Sequence, residues 1–212
     1  AGAGYLDSAD MATAFNLLRA NDLIWSFFVN NYLLGKAPAP FDLLFWNADA
    51  TRMPAAMHSF YLRNMYLHNR LREPGGTILA GVPIDLSTIS VPCYFVATVE
   101  DHIAPWRSVY AGARLVGGKT RFVLSGSGHI AGIINPPAAH KYQHWTCDSL
   151  SASADQWQAQ ATAHGGSWWP DWKFWLGRRA GGKVMARQPG GGQLPILEDA
   201  PGSYVRMTSH QE

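Results

Sequence analysis

The sequence predicts an α/β fold, with parallel strands and helices in its middle third and a mostly helical region before them. A β-rich run ends at Thr98, a helical stretch covers residues 108–116, and a second β-rich run covers residues 119–126. Strand, helix and strand in this order are typical of an α/β unit with parallel strands. By composition we expect a helical lid or cap region at 1–75, an α/β core at 76–150, and a tryptophan-rich segment with an irregular tail at 151–212.

Two amphipathic helices are predicted in the first region. Asp7 or Ser8 can cap a helix over residues 9–20, because both side chains can accept hydrogen bonds from the N–H groups of a first helical turn. A second helix is predicted from about residue 55 to residue 70, where the helix-breaking residues EPGG follow.

A strongly apolar segment lies between these two helices. Residues 23–34 read LIWSFFVNNYLL and are apolar nearly all round. Such a helix either is buried in a core or covers something apolar. We therefore keep two interpretations, a lid or interface and a core helix. Gly35 is expected to end the segment.

The last region has a short predicted helix, WQAQATAH, followed by four tryptophans within eight residues. These tryptophans are predicted either to pack on the core or to touch an apolar partner. They are Trp168, Trp169, Trp172 and Trp175.

Composition excludes several classes of protein. The 212 residues carry 17 basic and 15 acidic groups, and the charges are spread evenly along the chain, so we expect no nucleic-acid partner. Two cysteines without a CxxC spacing predict neither a disulfide scaffold nor a metal site. No run of about 18 apolar residues occurs, so no transmembrane segment is expected. These features fit a cytosolic protein.

An acid and a histidine each follow a predicted strand. Asp101 follows the run that ends at Thr98, and His129 follows the run 119–126, 28 residues after Asp101. The order and spacing match the last two members of an α/β-hydrolase triad. In such a triad the carboxylate fixes the imidazole tautomer, and the imidazole takes a proton from a nucleophile. The alternative is a helix-capping Asp and a His in a polar turn.

No nucleophile is found in the chain. Neither GxSxG nor GxCxG occurs, although an α/β-hydrolase carries its nucleophile in such an elbow. Cys93 lies in the apolar run VPCYFV and is predicted to be a core residue, Cys147 follows the histidine, and Ser127 shares the loop of His129. The sequence therefore predicts the C-terminal part of an α/β-hydrolase fold, without its nucleophile.

Four long blocks resemble class I poly(3-hydroxyalkanoate) synthases. The blocks are EDHIAPW at 100–106, SGHIAGIINPP at 127–137, LLRANDLIWSFFVNNYLLGKAPAPFDLLFWNAD at 17–49 and TRMPAAMHSFYLRNMYL at 51–67. They stand in the same order as in that family, and the resemblance covers nearly the whole chain, most securely residues 5–147.

The resemblance implies an acyltransferase with a Cys–Asp–His triad. Such an enzyme polymerises (R)-3-hydroxyacyl-CoA, chiefly 3-hydroxybutyryl-CoA, into a polyester and releases CoA, with no cofactor. Asp101 and His129 match the family's acid and base, Trp46 matches the tryptophan of its LLxWN block, and no residue matches its cysteine. His102 is interpreted as structural or as a modest contributor beside the acid. Either Asp101 or His129 could activate the chain hydroxyl.

The resemblance also implies partners and a location. We expect the acyl-CoA and the polyester chain as ligands, a homodimer formed through the lid region, and a cytoplasmic protein on polyester granules. Two alternatives remain open. One is a non-catalytic fragment that dimerises or binds granules, and the other is the C-terminal half of an esterase or depolymerase of the same fold.

Overall fold

The protein is described by a computed structural model that covers residues 4–18, 20–38, 51–204 and 207. The chain divides into two compact units, residues 1–67 with 185–212 and residues 68–184. Each unit is described separately below. The three-part division by composition is a different partition of the chain and stays a prediction.

The first unit begins with the predicted capped helix. Strand β1 (Tyr5–Leu6) pairs antiparallel with β2 (Met53–Pro54), and helix α1 (Ser8–Leu18) follows β1. Asp7 Oδ1 accepts a hydrogen bond from the Ala9 N–H at 3.0 Å, so the predicted N-terminal cap is confirmed.

The second predicted helix ends earlier than expected. Helix α2 (Ala55–Tyr61) continues as a π-helix through Leu62–Leu67. The chain then turns at Asn69, whose φ of 47° lies in the left-handed region that no helix interior uses. The stop therefore precedes the EPGG sequence that was expected to cause it.

The apolar segment is helical and exposed. Asn21–Trp25 and Phe28–Leu33 are π-helical, and Gly35 ends the segment with a φ of 62°. Its aromatic side chains face solvent, with Tyr32 at 77% exposure. Within the described residues the segment is therefore not buried, and its assignment as a lid or interface or as a core helix stays a prediction. We call the exposed residues of this segment the apolar surface: Ile24, Trp25, Phe27, Phe28, Val29, Tyr32, Leu33 and Leu34.

The second unit is built on a four-stranded mixed sheet. A separate hairpin of β3 (Thr77–Leu79) and β4 (Val82–Ile84) precedes this sheet. The four strands of the sheet lie side by side in chain order: β5 (Cys93–Thr98), β6 (Thr120–Ser125), β7 (Gln143–Thr146) and β8 (Thr162–Gly165). The β5–β6 pair is parallel, in register from Cys93↔Thr120 to Thr98↔Ser125. The predicted parallel unit is thus confirmed.

Four strands of this unit were not predicted from the sequence, namely β3, β4, β7 and β8. The last three residues of the helix predicted at 157–164 belong to β8. The β3–β4 turn uses Ala80 and Gly81, with φ of 48° and 80°, where Asn-Gly or Asp-Gly is the usual signal. Strands β7 and β8 run antiparallel to their neighbours and have four residues each. Such short strands carry too few alternating residues to stand out.

Helices cover this sheet around an aromatic core. Helix α3 (Trp106–Ala113) connects β5 to β6, and α4 (Ala154–Gln160) and α5 (Trp169–Gly177) lie before and after β8. Tyr110 and Trp157 each pack against Phe122, with ring centroids 5.0 and 4.9 Å apart. This core fixes β6 and α3, and so fixes the two loops at the ends of β5 and β6.

The tryptophan-rich segment mostly packs on its own unit. Trp168 and Trp169 both donate their indole N–H to the Ile133 carbonyl, at 3.2 and 2.9 Å. Trp175 stacks edge-on against Tyr94, whereas Trp172 is exposed. Within the described part of the chain, no helix has the length and apolar composition needed to cross a membrane.

Candidate functional site

Two polar loops meet at one edge of the sheet. Because β5 and β6 are parallel, their carboxyl ends lie side by side, with Thr98 opposite Ser125. The loop after β5 carries Asp101, and the loop after β6 carries His129. Carboxyl ends of parallel strands are where α/β proteins place ligand-binding groups.

Backbone hydrogen bonds join the two loops. The Val99 N–H donates to the Ser125 carbonyl at 2.9 Å, and the Glu100 N–H donates to the Ser127 carbonyl at 3.0 Å. Ser127 has a φ of 72°, so the chain reverses sharply just before the histidine. The two loops are therefore joined at residues 99–100 and 125–127, which precede Asp101 and His129.

The acid and the histidine are in direct contact. His129 Nδ1 lies 2.8 Å from Asp101 Oδ2. The Asp101 side chain is only 8% exposed, whereas the His129 side chain is 44% exposed. Among the described residues, no hydrogen bond is made to His129 Nε2, which is therefore open to a reacting group.

The second oxygen of the acid is held by its own turn. Asp101 Oδ1 accepts hydrogen bonds from the backbone N–H groups of Ile103 and Ala104, at 2.9 and 2.8 Å. Burial raises the pKa of Asp101, but the hydrogen bonds from Ala104, His129 and Ile103 outweigh burial and lower this pKa below its usual value. Asp101 is therefore a carboxylate at neutral pH.

This charge state fixes the histidine tautomer. A carboxylate offers no proton, so the proton between the two side chains must be on Nδ1 of His129. Nε2 then carries a lone pair and can take a proton from a nucleophile. The imidazolium formed in that step is stabilised by Asp101. The geometry is thus that of a general base with its orienting acid.

The two remaining predicted site residues are not part of the contact between Asp101 and His129 or are not described. His102 is exposed and its side chain makes no hydrogen bond to any described residue. Trp46 lies outside the described residues. Cys93 is half-buried rather than a fully buried core residue, so that interpretation of it is only partly right.

Neither cysteine reaches the histidine. Cys93 begins β5, five residues or about 17 Å before the end at which Asp101 lies. Cys147 follows β7, which runs antiparallel to β6 with Thr146 opposite Val123, so it too lies toward the far edge of the sheet. Within the described residues, neither thiol is therefore a nucleophile for this pair.

An ion pair at that far edge was missed by the sequence analysis. Arg121 of β6 donates to both oxygens of Asp171 in α5, with its Nε 2.8 Å from Oδ1, and Tyr94 donates to Oδ1 at 2.9 Å. Burial raises the pKa of Asp171, and the bonds from Arg121 and Tyr94 lower it overall. The partners are 50 and 77 residues apart, so no local pattern indicates them.

Comparison with known proteins agrees with the fold. A family profile described as the alpha/beta hydrolase fold matches residues 3–136, which include both Asp101 and His129. The chain belongs to the α/β-hydrolase family, as its sequence predicted.

More specific similarity is found to bacterial polymerases. The chain is 57% identical to a poly(3-hydroxyalkanoate) polymerase of Methylorubrum extorquens, over 96% of the chain and 34% of that protein. It is 55% identical to a poly(3-hydroxyalkanoate) polymerase subunit of Rhizobium meliloti, over 96% of the chain and 33% of the relative. It is 50% identical to the corresponding subunit of Cupriavidus necator, over 95% of the chain and 34% of that relative. The predicted resemblance is confirmed, and the chain spans about a third of the length of these relatives.

Proposed function

We propose that Asp101 and His129 are the acid and the base of an acyl-transfer site that builds a polyester from (R)-3-hydroxyacyl-CoA. The observation that carries this proposal is the 2.8 Å contact between His129 Nδ1 and Asp101 Oδ2, which leaves Nε2 open. The similarity to polymerases over 96% of the chain supports the substrate class. The nucleophile is a cysteine that this chain does not contain.

The proposed chemistry uses His129 twice. Its Nε2 takes the proton of the cysteine thiol, and the thiolate attacks the thioester carbonyl of the substrate. The bond from that carbonyl to the CoA sulfur breaks, and the departing CoA thiolate takes the proton back from the imidazolium. The product is an acyl-enzyme thioester, and no metal or cofactor takes part.

Chain growth then needs a base for a hydroxyl group. The hydroxyl of one unit attacks the acyl carbonyl of the other and forms an ester, while the bond from that carbonyl to the cysteine sulfur breaks. The proton of the hydroxyl must be accepted and then passed to the leaving thiolate. Asp101 has both oxygens engaged in hydrogen bonds and is 8% exposed, whereas His129 Nε2 is open. These contacts favour His129 as the base for this step as well.

The test is a chimera in which this chain replaces the matching third of the Methylorubrum extorquens polymerase. Purified chimera is given 3-hydroxybutyryl-CoA, and released CoA and polymer are measured by chromatography. We expect His129→Gln to lose essentially all turnover, His102→Gln to keep most of it, and the chain alone to release no CoA. An active His129→Gln chimera would contradict the proposed base, and free 3-hydroxybutyrate in place of polymer would indicate an esterase.

The apolar surface favours a second role in addition to this one. Its eight large apolar side chains on a single helical segment form a patch of the kind that soluble monomers rarely expose. We propose that this surface either forms a homodimer contact or binds to polyester granules in the cytoplasm. The lid role of residues 1–75 likewise stays a prediction.

Ultracentrifugation and binding to poly(3-hydroxybutyrate) particles distinguish these two uses of the apolar surface. Leu33→Asp should abolish whichever association is real. If the parent chain remains monomeric and stays off the particles, the second role is excluded.

A further inference from the structure

Gly132 lies where no side chain fits. A Cβ atom built on Gly132 would collide with the Thr98 methyl group, and would lie 2.6 Å from the Gly126 carbonyl oxygen and 3.0 Å from that of Gly128. Thr98 is the last residue of β5 and is fully buried. The absence of a side chain at residue 132 therefore lets the histidine loop fold back against the strand that leads to Asp101.

Both backbone groups of Gly132 are also engaged. Its N–H donates to the Gly128 carbonyl at 2.9 Å, and its carbonyl accepts a hydrogen bond from the Ser125 hydroxyl at 2.7 Å. Ser125 is the last residue of β6 and is 1% exposed. The loop of residues 126–132 is thus closed at its base, and His129 lies within it.

We propose that Gly132 and Ser125 are positioning residues that hold His129 Nδ1 against Asp101. The hydrogen bond from the Ser125 hydroxyl attaches the loop to the end of β6. The loop also packs on the end of β5, because Gly132 has no side chain to keep it away from Thr98. The Thr98 hydroxyl makes no hydrogen bond within the described residues, so its contribution is the close packing of its methyl group. If the loop is pushed off β5, His129 moves away from Asp101, because Asp101 is fixed separately by its own turn.

A neighbouring glycine provides a matched control. A Cβ atom on Gly128 would meet only the Glu100 carbonyl oxygen, at an ordinary 3.9 Å. Gly128 is also closer in sequence to His129 than Gly132 is. A Gly128→Ala change therefore adds the same methyl group to the same loop without the collision.

The experiment measures the hydrogen bond between Asp101 and His129 by NMR. Chain labelled with ¹⁵N-histidine is studied by NMR, and the His129 ring signals are assigned with His129→Gln. In the parent chain we expect the proton on Nδ1 and a downfield, slowly exchanging Nδ1–H signal, which Asp101→Asn abolishes. Gly132→Ala should abolish the same signal, although it touches neither partner, and Gly128→Ala should keep it. Circular dichroism checks that each variant is folded.

Two further variants keep the outcome decisive. Ser125→Ala removes only one oxygen atom and should weaken or broaden the signal, so it decides the question if Gly132→Ala does not fold. Adding Thr98→Ser to Gly132→Ala removes the collision with the methyl group but leaves the Gly126 carbonyl oxygen 2.6 Å from the new Cβ atom, so only a small part of the signal should return. A folded Gly132→Ala or Ser125→Ala chain with an unchanged Nδ1–H signal would overturn the proposal.

The consequence for catalysis rests on the proposed function. In the chimera, Gly132→Ala should lower kcat by about 10²-fold with little change in KM, since a misplacement of about 1 Å costs that much. An inactive parent chimera would count against the proposed function alone, because the NMR result does not depend on activity.

Discussion

Replacing Asp101 by Asn removes the negative charge and keeps the shape of the side chain. The amide oxygen can still accept the N–H groups of Ile103 and Ala104, so the turn should persist. The amide NH₂ then faces His129 Nδ1 and donates to it. This forces the ring proton onto Nε2, the atom that must accept a proton from the nucleophile.

The size of the loss follows from burial. Asp101 is 8% exposed, so water cannot replace the carboxylate at Nδ1. The same substitution in serine-protease triads lowers kcat by about 10⁴. A thiol gives up its proton more readily than a serine hydroxyl. We therefore expect a loss of about 10³ in kcat, or about 4 kcal/mol of transition-state stabilisation.

The assay is single-turnover acylation of the chimera with 3-hydroxybutyryl-CoA, followed by chromatography of CoA and by mass spectrometry of the acyl-enzyme. His102→Gln is the matched control, because it lies beside Asp101 and its side chain is exposed. Retention of more than about a tenth of the parent kcat by Asp101→Asn would refute the proposed role of the carboxylate.

Three other perturbations test the rest of the description. Asp171→Asn should cost about 3 kcal/mol in urea unfolding, because it leaves the half-buried Arg121 charge with only the exposed carboxylate of Asp148, 3.7 Å away. The free energy of unfolding of the parent should exceed that of Asp101→Asn by an amount that shrinks as the pH falls below about 4, because the folded-state pKa of Asp101 is lowered and its carboxylate becomes protonated in that range. The double variant Leu33→Asp, Leu34→Asp should reduce the binding of a hydrophobic dye by the chain, with little change in its melting temperature, because both side chains are exposed.

Each of these has its own check. Tyr94→Phe removes one hydrogen bond from Asp171 and should cost only about 1 kcal/mol, so an equal cost for both variants would argue against a dominant ion pair. A gap in the free energy of unfolding that widens as the pH falls below about 4 would mean that the pKa of Asp101 is raised. If the double variant binds as much dye as the parent, the dye binds to exposed apolar residues other than those of the apolar surface.

Local chemistry explains which elements could be predicted. The α1 cap and the β5–α3–β6 unit carry their signal within a few consecutive residues: a capping side chain, a β-branched run or a helical period. The helix predicted at 157–164 is found at 154–160, so its existence was predicted but its bounds were not. The Ala80–Gly81 turn and the four-residue strands β7 and β8 carry weak signals, and their pairing partners supply most of their stability.

The sequence by itself determined the α/β class and the candidate pair of an acid and a histidine. Two polar residues that each follow a parallel strand must meet at one edge of the sheet, so Asp101 and His129 could be paired from order and spacing alone. The tertiary structure decided what depends on contacts between distant residues. It exposed the apolar surface, placed both cysteines away from His129, joined Arg121 to Asp171, and closed the histidine loop through Ser125 and Gly132. Burial and close packing are properties of neighbours in space, and no local pattern of residues encodes them.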